Sequence, residues 1–411
     1  MSDVQAPSAQ PYLENDIYDV VSDLYDKSLN VIRNIQNEGF KPEGQKTLER
    51  RFSLVEVSEL VGRSVSAIRD AEANGRLPEP EKGENNRRMG FTLADVNLAR
   101  DVFGTRPWRA ETDDPLILSI GSFKGGVGKT TTSVYLSQYL ALQGYRVLLI
   151  DTDPQGSATA LFGYVPEYDI KGDTETLYGV LGNTQQHIAE VIRSTYWDGL
   201  DLIPANLHLF QAEYEMMMLS GDNSFMQLRE NIDMIKHNYD VIVIDSPPSL
   251  GTLSLNVMYA ADALLLPIPA QFPDMSSGNI YLRMLNEAIE RMRANKSISR
   301  GDYKFAKVLI TKFVEGPRMN DVSTSTQAVF SRIYERVFSD NILKSKFKQA
   351  TPIENAFSMQ KTLFELDKAD TVGASNKRAF NIINSVCSEV EDIIRSTWPS
   401  HVREMQEKGL K

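Results

Sequence analysis

Two lysines flank one cluster of glycines in SFKGGVGKTTTS, residues 122–133. Glycines at 125, 126 and 128 let successive backbone N–H groups turn toward one anion. A helix opening just after them would add its positive end. This is chemistry for a polyphosphate. Lys129 would reach the β- and γ-phosphates, and the Thr130 hydroxyl would hold Mg²⁺. Gly125, Gly126, Val127, Gly128, Lys129, Thr130 and Thr131 form the expected cradle. The common form G-x-x-x-x-G-K-[ST] does not fit, because its first glycine would be Phe123. The form here is K-G-G-x-G-K-T. A glycine-rich turn without a ligand is the plainer alternative.

Lys124 stands near the entrance of the loop, on the outer side of the phosphates. It is poorly placed to share the task of Lys129 within one chain. A lysine there could reach across a dimer interface and neutralise charge on a partner's transferred phosphoryl group, as an arginine finger does. In these residues the chain resembles the deviant Walker A ATPases, the ParA/MinD superfamily, whose signature lysine has that role. The resemblance implies ATP or ADP with Mg²⁺ as ligands and an ATP-sandwich homodimer. It makes Lys124, Lys129 and Asp153 the catalytic set. IDTDPQGSAT (150–159) is similar to the D-x-D-P-Q-G motif of that family. Asp151 then lies near the magnesium shell, and Asp153 orients or deprotonates the attacking water. Two acids capping a strand-end turn are the simpler reading. VIVIDSPPSLG (241–251) resembles Walker B, with Asp245 on Mg²⁺ through a water and Pro247–Pro248 forcing an extended exit. Thr311, ending the strand LIT, lies where the family reads the adenine edge, although Asn or Asp is more usual there.

These residues need elements to hold them. LILSI (116–120), RVLLID (146–151), LDLIPA (200–205), YDVIVID (239–245), ALLLPIP (263–269) and AKVLITKF (306–313) are Val/Ile/Leu runs without alternation. Such strands are covered on both faces, and helical patterns separate them. The expectation is an α/β fold, a doubly wound, mostly parallel sheet of P-loop NTPase type. A helix over 130–143 ending at Gly144, and one over about 375–396 with Phe380, Ile383, Val386, Val390 and Ile394 on one stripe, would flank it. An N-terminal helix and a winged helix-turn-helix would precede it, giving segments 1–45, 46–107 and 108–411.

The first 45 residues hold eight acids and three bases. Leu13, Ile17, Val20, Leu24, Val31 and Ile35 recur at helical steps, so one apolar stripe could pack on its own domain or on the same helix of a second chain. Residues 46–100 carry ten bases and nine acids. Leu54–Val61 meets Gly62, and Val65–Asn74 is closed by Gly75. Two short helices around a glycine turn read as helix-turn-helix. FTLADVNLARDVFG follows as a third helix capped by Thr92. This segment resembles MerR-type winged helices, with Arg63, Ser64, Ser66 and Arg69 at the recognition helix and Arg87 and Arg88 in a wing. A dimerisation or partner module that kept the fold is the alternative.

Within the superfamily the chain is similar to the larger partition ATPases of low-copy plasmids, ParA of type Ia, over about residues 50–395. One cysteine, Cys387, excludes relatives that need paired cysteines for an iron–sulfur cluster. Four scattered histidines lack ligand spacing. The C-terminal segment mixes charge signs around Pro399, unlike a basic membrane helix. The resemblance implies a ParB-like partner, repression of an operator in the ADP or apo form, and non-specific binding of nucleoid DNA by the ATP dimer. Lys344, Lys346, Lys348 and Lys361 are candidate contacts for that second mode, although a lysine run is more often a solvated face. The net charge of −11 argues against a general nucleic-acid coat but not against local basic patches. The N-terminal stretch lacks the apolar core of a signal peptide, and no apolar run spans a bilayer. The expected place is the cytoplasm, on the nucleoid. A repressor that uses ATP only as a sensed ligand, or a membrane-positioning ATPase, remains as a rival.

Overall fold

A computed structural model describes residues 17–39, 46–83, 86–107, 109–122, 124–172, 174–182, 186–218, 224–249, 251–294, 303–314, 322–366 and 373–409. Leu13 of the N-terminal stripe and Phe123 of the glycine loop lie outside them. The chain divides into two units, Met1–Thr47 and Leu48–Lys411. The first contains helix α1 (Ile17–Gly39). Ile17, Val21, Leu24 and Val31 on that helix are all more than half exposed.

The second unit is built on one eight-stranded sheet. Its strands are β1 (Leu116–Ile120), β2 (Val147–Asp151), β3 (Arg193–Ser194), β4 (Leu200–Ile203), β5 (Val241–Asp245), β6 (Ala263–Pro269), β7 (Phe305–Phe313) and β8 (Phe347–Lys348). The order is β3-β4-β2-β5-β1-β6-β7-β8. Every pair is parallel except β3 with β4. The apolar runs explain this arrangement. Alternate residues of each central strand enter different cores: Leu118, Leu149 and Val243 face one, and Ile117, Ile150 and Ile244 face the other. Both faces are therefore dry, which only a sheet covered by helices on each side allows. The two two-residue edge strands are too short to leave a pattern in the sequence.

Three helices precede the sheet: α2 (Leu54–Val61), α3 (Val65–Ala73) and α4 (Leu93–Phe103). Ser53 and Thr92 cap α2 and α4 through reciprocal boxes with Glu56 and Asp95, and Ser64 caps α3. Gly62, in the left-handed region at φ 66°, makes the turn between α2 and α3. A narrow antiparallel bridge joins Lys82 to Arg88. These helices share one continuous core with the sheet. Arg100 of α4 is fully buried in it. Its guanidinium donates to Leu142 O and Asn97 Oδ1, both at 2.7 Å, and to Leu60 O at 3.3 Å. Burial lowers its pKa to about 10.

Helix α5 (Lys129–Gln143) starts on the glycine loop and ends at Gly144, whose φ is 99°. A Cβ on Gly144 would lie 2.9 Å from Arg100 Cδ, so glycine is required there twice over. The C-terminal helix Ala374–Ser396 buries Ile383, Val386, Val390 and Ile394, as its stripe predicts. The helix ends just before Trp398 and Pro399, and Pro399 then begins a new one, Pro399–Glu407, where its missing N–H is harmless.

Candidate nucleotide site

The glycine loop leaves β1 at the centre of the sheet and enters α5, so it lies at the carboxyl edge of the strands. Gly126 and Gly128 have φ of 70° and 96°, the left-handed steps that turn their N–H groups inward. The loop is braced from the next layer: Thr311 Oγ1 donates to Val127 O at 2.7 Å. The Thr311 hydroxyl is thus used on the loop itself. A cavity of about 560 Å³ opens over it. Gly125, Gly126, Gly128, Lys129, Thr130, Thr131 and Asp153 line this cavity, so the predicted cradle and the predicted water-orienting carboxylate come together. Pro248 also reaches it, as the extended exit from β5 requires.

The two lysines are treated differently. Lys129 is buried within its own loop, and Nζ lies 3.4 Å from Lys124 O. Burial lowers its pKa, against the pull of Asp245 and Asp153. Lys124 turns its ammonium away from the loop into an ion pair with Asp274, a carboxylate 5% exposed at the start of helix Phe272–Ala294. No sequence motif marks Asp274. Only the fold brings it to the loop.

Asp151 and Asp245 are direct register partners on β2 and β5, both wholly buried. Asp151 is fully engaged: Oδ2 accepts from Thr159 N and Oγ1, and Oδ1 accepts from Asp153 N at 3.1 Å. Asp245 Oδ1 accepts from Ser133 Oγ at 2.9 Å. Its Oδ2 is buried without a hydrogen bond. Burial raises the pKa of both carboxyls. Asp245 raises Asp151 further, while Thr130, Ser133 and Lys129 pull Asp245 back. A buried acceptor with a free lone pair beside the Thr130 hydroxyl fits a hard cation. Among the described residues no group of three or more His, Cys, Asp or Glu could cage a metal by itself. Mg²⁺ takes one or two carboxylates and completes its shell with phosphate and water, which the Asp245 carboxylate beside Thr130 fits.

Asp153 Oδ1 accepts from Gln155 N at 3.0 Å, so the D-x-D-P-Q-G turn orients it. The glycine of that turn is obligatory. Gly156 has φ 61°, and a Cβ would come within 2.8 Å of Ala205 O.

The predicted DNA-facing residues differ in exposure and in how far other groups engage them. Ser66 and Arg69 are exposed on α3, and Arg87 is exposed on the ribbon. Ser64 caps α3 and also meets Ser66 Oγ at 2.9 Å. Arg63 donates to Phe103 O at 3.3 Å. Arg88 is held by Glu72 at 2.5 Å and lies over the Phe91 ring, so it fastens the ribbon to α3. Lys344 is exposed, Lys348 and Lys361 are half-buried, and Lys346 pairs with Glu335 at 2.7 Å. Sequence reasoning missed Ser157, Ala160, Leu161, Lys312, Phe357 and Gln360, which also line the cavity. Ser157 lies within the segment 150–159 but was given no role, and the others lie outside the quoted motifs.

Comparison with known proteins places this geometry. The AAA_31 family, described as an AAA domain, matches residues 116–299. Protein SopA of Escherichia coli K12 is 35% identical over 369 residues, covering 87% of this chain and 92% of SopA. A putative replication protein A from Sinorhizobium fredii is 31% identical and covers 95% of this chain and 96% of its own. Among solved structures, one titled Partition Protein superposes with a TM-score of 0.61 over 92% of this chain and 98% of its own, at 21% identity, a likeness of fold. With a K-G-G-x-G-K-T loop, paired strand-end aspartates and near full-length similarity to SopA, the chain belongs to the ParA-type partition ATPases.

Proposed function

We propose that this chain is an ATP-switched DNA partition protein. ATP would lie in the cavity over the glycine loop, with Lys129 on the outer phosphates and Thr130 and Asp245 holding Mg²⁺ beside Asp151. Bound Mg²⁺ offsets the charge that develops on the phosphates. Asp153 holds and orients the attacking water at the rim. Lys124 serves the nucleotide of a second copy, so hydrolysis needs the closed dimer.

One observation carries this reading: Lys129 lines the cavity over the loop, while Lys124 does not and pairs with Asp274 instead. A lysine serving its own nucleotide would turn inward. The exposed apolar face of α1 supports a second contact, with the same helix of the partner copy. The segment 46–107 would be a winged helix-turn-helix reading an operator through Arg63, Ser64, Ser66, Arg69 and Arg87, with Arg88 shaping the wing. Residues 108–411 would form the ATPase domain. Lys344, Lys346, Lys348 and Lys361 would meet nucleoid DNA without sequence preference in the ATP dimer. A ParB-like protein would stimulate hydrolysis and release it.

The test is anisotropy of a non-specific duplex with Mg-ATP, Mg-ADP or no nucleotide. Binding confined to ATP, falling steeply with salt, is the expected result. Binding indifferent to nucleotide, with a specific operator still bound, would favour a repressor that only senses ATP.

A further inference from the structure

Lys312, outside every motif described above, stands over the phosphate loop. It follows Thr311 in β7 and lines the same cavity as Lys129 and Asp153. Its Nζ lies 3.9 Å from where a Cβ on Gly126 would be. It is exposed, and among the described residues no carboxylate or hydrogen-bond acceptor holds its ammonium.

The backbone is arranged for this placement. Four described residues other than glycine have positive φ: Asn86, Lys312, Ser339 and Gln360. Asn86 sits in a turn, and Ser339 and Gln360 follow helices. Lys312, at φ 50°, alone interrupts a strand. The pairing of β7 with β8 breaks its register between Thr311 and Phe313. Regular alternation would send residues 311 and 312 to opposite faces. The left-handed step brings both to the loop. A lysine gains nothing intrinsic from that conformation, and such outliers persist where the surroundings enforce them at a working site.

We propose that Lys312 is a nucleotide-contacting residue, a cation from β7 that meets the phosphates common to ATP and ADP. Lys129 serves the outer phosphates, and the loop N–H groups beside Gly126 hold the inner ones. The inference rests on the nucleotide reading above.

The full chain, with Mg²⁺, is titrated with fluorescent mant-ADP and mant-ATP. Lys312→Ala weakens both by a similar factor, about tenfold or more for a lost charge-assisted contact. Lys312→Arg recovers most of the affinity. Lys312→Gly loses affinity as alanine does, yet melts at or above wild type without nucleotide, because the left-handed step suits glycine. A purely structural lysine would show the reverse, with melting lowered and affinity kept. Lys312→Ala binding both nucleotides within about twofold of wild type overturns the proposal. A loss confined to ATP overturns the assignment to shared phosphates. If the wild type binds neither nucleotide, the nucleotide reading itself falls.

Discussion

Asp245 gives the sharpest test of the claim that the strand ends form a cation site. Its Oδ2 is buried without a hydrogen bond of good geometry; the nearby Thr130 hydroxyl and Lys129 lower its pKa but only partly offset its burial, and a second buried carboxyl, Asp151, is its register neighbour. Without a cation this arrangement destabilises the fold. Asp245→Asn keeps an oxygen for Ser133 and removes the charge. Leaving a buried acceptor unpaired costs about 1–3 kcal/mol, more when it is charged. The nucleotide-free variant is therefore expected to be more stable than wild type by about 1–3 kcal/mol, or roughly 1–4 °C in a chain of this size. The pH dependence has a definite sign. Burial raises the folded-state pKa of Asp245 above its unfolded value. Such a group penalises the fold increasingly as pH rises through that interval, so the advantage of Asn grows from mildly acid to neutral pH. Thermal melts at several pH values, with and without Mg-ATP, measure both effects. Wild type should gain more from Mg-ATP than the variant, because the cation relieves the same unpaired charge. A nucleotide-free Asp245→Asn protein that melts at or below wild type at neutral pH would refute this reasoning.

Other outcomes follow from the same geometry. Lys124→Ala should bind Mg-ATP as wild type does while losing hydrolysis and ATP-dependent dimerisation, measured by phosphate release and sedimentation; normal turnover by the isolated monomer would sink the trans role. Asp274→Asn frees Lys124 from its ion pair and should tighten the ATP dimer by about two- to fivefold, the worth of a partly exposed pair. Asp153→Ala should keep nucleotide binding and dimerisation and lower turnover by roughly 10²–10⁴-fold. Gly156→Ala should lower stability by about 2 kcal/mol or more, read by chemical denaturation, because a Cβ there collides with Pro166 and Ala205 O.

Much of the site was legible because its chemistry is local. Glycines, Lys129 and Thr130 occupy one loop, and Asp151 and Asp245 each close an apolar run that could only be a buried strand. The cap at Thr92 and the helix ends at Gly62 and Gly144 were equally local. What the sequence hid depends on distant juxtaposition or on backbone choice. Asp274 lies 150 residues from Lys124 and belongs to no pattern. Lys312 takes a left-handed conformation that its residue type gives no reason to expect. Arg100 sits on a short amphipathic helix and looks like a solvated base, but the fold encloses it. The helix Pro399–Glu407 was not expected, although proline suits a first turn.

Helix α5 joins the two ends of this chemistry. Its 15 residues begin at Lys129 on the phosphate loop and end at Gly144 beneath Arg100. That is a stiff rod of about 22 Å. The Arg100 side chain hooks α4 to the Leu142 carbonyl in its last turn, and α4 shares its core with α2 and α3. Tilting the rod at the loop therefore carries the exposed face of α3 with it, as one lever arm without an elbow. If the proposed ATP dimer forms, two such arms would face one another, and the spacing between their tips would follow any tilt of α5 at the loop.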